Sequence, residues 1–134
     1  MIRKTLLALG LAAAVATPAA AADLIGSYNA FLGRADHYNS NGERLASAAA
    51  IIRQDRANFH KFGVRDAADE SDDYFASVDN RAVLERMLND GHSDAGVLGR
   101  IVDANVLIHV DIYRSRRHGD YVVVTLGDED AGGY

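Results

Sequence analysis

A chain of 134 residues with 19 acidic against 14 basic side chains is a poor general partner for nucleic acid or an anionic membrane. It contains no cysteine, which excludes a thiol nucleophile, a thiolate metal site and a disulfide framework. The length suits one compact domain, and that domain must hold itself together through its apolar core.

Residues 1–22 have the three-part layout of a secretory signal peptide. Arg3 and Lys4 come first, then an apolar run from Leu6 to Val15, then Pro18 and an alanine tract with small residues, Ala20 and Ala22, at the two positions a signal peptidase reads. The apolar run falls short of the roughly 20 residues a membrane-spanning helix needs. The expected product is a periplasmic or secreted protein cut near Ala22, with no membrane insertion after signal removal and no lipobox cysteine for a lipid anchor. Losing Arg3 and Lys4 leaves 12 basic residues against the same 19 acids, a formal charge of −7.

Leu24 to Tyr38 reads in two ways. Leu24, Tyr28, Phe31 and Leu32 have helical spacing, but Gly26 and Gly33 weaken a helix, and the segment runs into Asn39-Ser40-Asn41-Gly42, a hairpin signal. A capping box from Ser40 to Glu43 competes for the same tetrapeptide. The favoured order is strand, turn, short strand, then a helix from about Ser47, whose hydroxyl can cap the first free amides. That helix, within Leu45 to Phe62, is the plainest element: at 100° per residue Leu45, Ala48, Ile51, Ile52, Phe59 and Phe62 share one arc, with Gln54, Asn58 and Lys61 outside it. Gly63 is placed to end it.

Asp66 to Asp73 is an acidic connector, expected to stay solvated. A second helix is predicted from about Asp79 to Asn89, capped by Ser77 or Asp79, with Val83, Leu84, Met87 and Leu88 on one face, ending at Gly91. A third, capped by Ser93, carries Val97, Leu98, Ile101 and Val102. From Asn105 the period changes to alternation. Val106, Ile108, Val110 and Ile112 oppose Leu107, His109, Asp111 and Tyr113, and after the loop Ser115 to Asp120 the residues Val122, Val124 and Leu126 oppose Tyr121, Val123 and Thr125. The fold class is therefore α+β: a small antiparallel sheet, made of the C-terminal hairpin and an N-terminal strand, packed on one long and two shorter helices within residues 23–126. Residues 127–134 read as a flexible tail.

Few residues point to chemistry. Asp69, Ser71 and Asp73 occupy positions one, three and five of a calcium loop, but Tyr74 and Asn80 stand where an EF-hand needs Gly and a bidentate carboxylate. The five histidines form no zinc motif, so no metal or other cofactor is assigned. His109 and Asp111 share a strand face and form the tightest polar pair. Asp55 and Arg56 fall inside the apolar arc of the long helix with His60 one turn on, and charges there must be paired. Arg114, Arg116, Arg117 and His118 cluster at the hairpin tip. Tyr113 and Tyr121 lie on the sheet face away from the core, a face that the segment Leu24 to Tyr38 should cover or that should otherwise serve for docking.

No hydrolase elbow, phosphate loop or dinucleotide fingerprint is present. The expectation is a small exported noncatalytic protein in a binding or accessory role, acting on a protein or small ligand of the cell envelope, with a homo-oligomer possible. The candidate binding residues are Asp55, Arg56, His60, His109, Asp111, Tyr113, Tyr121, Arg114, Arg116 and Arg117. Two alternatives stand beside it: a hydrolase or metal-dependent enzyme using His60, His109 or His118 with Asp55 or Asp111, and an acidic-loop cation binder.

Overall fold

Alternating β-branched residues need a partner on each side and an apolar layer beneath them. Val106–Ser115 forms strand β2 and Gly119–Leu126 forms β3, joined by a tight turn in which Gly119 adopts φ +74°. Asp23–Leu32 forms β1 and pairs antiparallel with the other side of β2, so the sheet has the order β1-β2-β3. The strand reading of the amino-terminal segment therefore holds, with a register shift between Leu24 and Gly26. The computed structural model describes residues 22–128; residues 1–21 of the expected signal peptide and residues 129–134 lie outside them.

One face of the sheet is buried. Tyr28, Ala30, Leu32, Val106, Ile108, Val110, Ile112, Val122 and Val124 point into the core. Leu126 shares their alternation but is 42% exposed, because it closes an edge strand. Gly127, expected to fray, instead donates to the Leu107 carbonyl at 2.8 Å.

The helices cover the buried face. Helix α1, Ala48–Ala57, starts where Ser47 Oγ accepts from the Ala50 amide, and it buries Ala48, Ile51 and Ile52. Its last turn, Asn58–Phe62, widens to a π-helix before Gly63 closes it at φ +68°. The wider turn shifts the apolar stripe. Phe62, placed in the apolar arc by its spacing, is 52% exposed, while Asn58, placed outside it, is buried and donates to Asp36 Oδ1 at 2.9 Å. The predicted turn after β1 is a single bridge, Tyr38 to Arg44, around Gly42 at φ +78°.

The second predicted helix is two: α2, Val78–Ala82, capped by Ser77, and α3, Leu84–Gly91. Non-helical backbone at Val83 breaks the stripe, so Leu84, Met87 and Leu88 are buried and Val83 is not. Helix α4, Ala95–Asp103, is capped by Asp94 rather than Ser93, because Ser93 Oγ is used elsewhere: it accepts from the Val124 amide at 2.9 Å. The buried His37 ring ties this helix to the chain after β1, reaching the Gly33 carbonyl through Nδ1 (2.7 Å) and the Ile101 carbonyl through Nε2 (2.8 Å).

The end of α3 sits against β3 so closely that a Cβ on Gly91 would lie 1.7 Å from the Val122 carbonyl oxygen. Gly99, in α4, has open space around the same position. Gly91→Ala is expected to lower the unfolding free energy by about 2 kcal/mol or more through overpacking. Gly99→Ala should raise it by roughly 0.5 to 1 kcal/mol through helix propensity. Urea unfolding of the two variants beside the parent chain measures both.

Candidate functional site

The candidate residues separate into two groups on opposite faces of the sheet, joined by the acidic loop. The first surrounds Arg56. Its place in the apolar stripe of α1 carries the guanidinium into the core, where it stacks 4.1 Å from the Tyr28 ring centroid and 4.7 Å from that of Phe59. Its Nε donates to Asp55 Oδ2 (2.8 Å), and Nη1 donates to Asp72 Oδ1 (2.8 Å) and to the Glu70 carbonyl (2.9 Å). His60 donates Nε2 to the same Asp72 oxygen at 2.9 Å, and the Phe75 amide donates to the other. Desolvation pushes the Asp55 carboxyl up to about 8 against the opposing pull of Arg56. Desolvation acts on Arg56 in the other direction, but Tyr28, Asp55 and Asp72 together leave it charged and above its ordinary value. Tyr28 Oη, Asp55 Oδ1 and Arg56 Nη2 are buried with no hydrogen-bond partner among the described residues. Such a network fixes how parts meet rather than adding much stability.

The acidic loop is mostly exposed, as its composition suggests, but it also makes specific bonds to the sheet edge and to Arg56. β1 is an edge strand whose outward amides need acceptors, and the loop supplies them. The Phe31 amide donates to Asp69 Oδ1 (2.8 Å), the Asn29 amide to Glu70 Oε1 (2.8 Å), and the Glu70 amide returns a bond to the Asn29 carbonyl (2.9 Å). Asp69 Oδ2 accepts from the Asp66 amide. Asp72 reaches inward to Arg56, so these carboxylates are engaged by donors of the chain itself. Among the described residues no group of three or more His, Asp or Glu is placed to hold a metal ion.

The second group lies on the outer sheet face. The ring of His109 sits between Asn29 Oδ1, 2.8 Å from Nδ1, and Asp111 Oδ1, 3.0 Å from Nε2. A carboxylate only accepts, so Nε2 carries a hydrogen, and both ring nitrogens are engaged. Asn29, Glu70, Leu107, His109, Thr125 and Asp128 line an open cleft of ≈ 630 Å³ at the end of the sheet away from the hairpin tip. Toward the tip, Tyr113 and Tyr121 stack with ring centroids 5.3 Å apart, and Leu24, paired with Tyr113, is 56% exposed. The amino-terminal segment does not cover this face, contrary to expectation. Once it pairs with β2 its own residues extend the face, adding Leu24, Asn29 and Phe31.

The basic tip is smaller than its sequence suggests. Arg114 forms two bonds with Asp120, 3.0 and 3.2 Å, on the helix side of the sheet, and Tyr74 donates to the same carboxylate at 2.9 Å. The Arg114 bonds hold Asp120 below its ordinary value. Desolvation, followed by that hydrogen bond, pushes Tyr74 up to about 12. Arg116, Arg117 and His118 are exposed. Asp72, the hub between Arg56 and His60, was hidden among five acids in eight residues, and Asn29 lay in a segment whose secondary structure was ambiguous. No family model matches the chain, and no curated protein or solved structure matches it significantly.

Two outcomes follow. Asp69→Ala removes the acceptor of the half-buried Phe31 amide and should cost about 1 to 3 kcal/mol in urea unfolding. For Asp55 the folded-state value, about 8, lies above the unfolded one near 4. Between those values the folded chain holds a proton that the unfolded chain has released, so stability falls as pH rises across the window and is level with respect to this group outside it. Asp55→Asn should remove a slope of up to about 1.4 kcal/mol per pH unit from the pH 4 to 8 stability profile. The slope of the same sign from Asp36, raised mainly by burial, should remain.

Proposed function

We propose that the chain is a small exported binding or accessory protein of the cell envelope, without catalysis of its own, and that the outer face of its sheet is the surface that binds. The observation that carries this reading is that face itself. Leu24, Phe31, Leu107, Tyr113, Tyr121 and Val123 stand on it, and none of them belongs to the buried core. Apolar patches bordered by polar groups, with tyrosine among them, are typical of surfaces that bury a partner. The export part of the proposal is supported by the Arg3, Lys4 and Ala20-x-Ala22 layout of residues 1–22.

A hydrolytic role finds less support. His109 has both ring nitrogens engaged within the sheet, and His60, held to Asp72 through Nε2 on the other side, has only Nδ1 left on a side chain that is 11% exposed. A general base needs a nitrogen free to reach substrate.

Val123 lies mid-strand on the outer face, so an arginine there can extend into solvent without disturbing the core. Immobilised mature protein is expected to retain an envelope component that the Val123→Arg variant loses, with far-UV circular dichroism and the urea midpoint unchanged. Equal retention by both baits would remove the outer face as the binding surface.

A further inference from the structure

The outer face differs in charge from end to end. At the hairpin tip, between the ends of β2 and β3, Arg116 and Arg117 are exposed, while Arg114 is neutralised by Asp120 on the helix side. At the opposite end of the same two strands Asp128 is exposed beside Leu107, and Glu70 borders the same cleft. Between the ends, two middle rows, Asn29-His109-Thr125 and Ser27-Asp111-Val123, separate the apolar pair Phe31 and Leu107 from Leu24, Tyr113 and Tyr121.

We infer that this face is a two-fold interface with a second copy of the chain, the two sheets packing face to face with their strands reversed. The inference rests on the outer face being the binding surface, and it names the occupant. A two-fold axis lying in the interface and crossing the strands between the rows of His109 and Asp111 keeps each strand over its own counterpart and exchanges the ends. Under that operation the row of Tyr113 meets the row of Leu107, so Tyr113 packs on Leu107 and Leu24 on Phe31 of the second copy. Val123 meets Thr125, Asp111 meets His109, and Arg116 and Arg117 come over the end that carries Asp128. Every pairing is reciprocal, which an isologous interface requires. The alternative that keeps tip over tip sets arginine against arginine and acid against acid. Sheets stacked in this way sit about 10 Å apart with strands near 30° to one another, a geometry that side chains of tyrosine and leucine size fill. Charge matching matters more than usual here, since a mature chain of charge −7 carries a net repulsion against its own copy.

Sedimentation equilibrium of the mature chain over a wide concentration range tests this. The expected result is a reversible monomer to dimer equilibrium whose dissociation constant rises at least several-fold in high salt. Val123→Arg should leave only monomer. Arg116→Glu with Arg117→Glu should weaken the dimer by about tenfold or more through like-charge contacts, and adding Asp128→Lys to the same chain should restore part of the loss by recreating the match in reverse. A monomer at every concentration would overturn the inference, as would a dimer indifferent to Val123→Arg or one weakened further by Asp128→Lys. If the chain is monomeric while Val123→Arg still abolishes retention of an envelope component, the face binds a different partner and only the second copy is wrong. If a dimer persists in Val123→Arg and retention is also unchanged, the binding role of the face fails with it.

Discussion

A guanidinium with no exposed surface is the constraint on which the rest of this fold depends. Arg56 could not be accommodated by α1 alone, because a buried cation without acceptors costs several kcal/mol even after relaxation. Asp55 meets Nε, and the remaining acceptors must come from elsewhere in the chain. They come from Glu70 and Asp72, and drawing those residues inward fixes the path of the whole acidic loop. The loop then passes along β1, where Asp69 and Glu70 find the outward amides of Phe31 and Asn29. One buried charge thus places a helix, a loop and a sheet edge relative to one another. The flat ring of Tyr28 beneath the guanidinium adds a cation–π contact and marks the point where helix, loop and strand meet.

Much of this was legible in the sequence, and the failures have a common origin. The period of two from Val106 to Leu126 and the stripe of Ile51, Ile52 and Phe59 are signals written by burial on one face, and they located the sheet and the main helix. Arg56 and Asp55 were recognisable as buried because their angular position conflicts with their polarity. What could not be read were effects of backbone geometry and of long-range hydrogen bonds. The widened turn at Asn58 to Phe62 exchanges which residue faces inward, and no periodicity argument anticipates it. The break at Val83 lies within an apolar run that favours continuation. The exposure of the acidic loop is legible in its composition, but its bonds to a strand edge 38 to 41 residues away are not.

The candidate site was legible in its members but not in their grouping. His109 with Asp111 follows from strand alternation, and Asp55 with Arg56 from helical angle. That the first pair lies outside the sheet and the second inside it depends on which face of β2 meets α1. Asn29 joined the outer group only once β1 took its place beside β2, since the pairing of Asn29 with His109 is a matter of register. Local pattern can identify residues that share a face, but register alone decides which of them touch.

Part of each sheet edge is occupied, and this bears on how the protein can associate. Along β1 the carboxylates of Asp69 and Glu70 occupy the amides that an added strand would use. Along β3 the turn after α3 does the same work, with Ser93 accepting from the Val124 amide and Gly91 lying against the Val122 carbonyl. Strand addition, the commonest way for a small sheet to recruit a peptide or a second copy, would first have to displace these contacts. The helical face is spent on the core. What remains is the broad surface bearing Tyr113, Tyr121 and the His109 row, where association needs no backbone hydrogen bond and relies on apolar burial and matched charge. A sheet whose edges are partly occupied offers its outer face for the association proposed above.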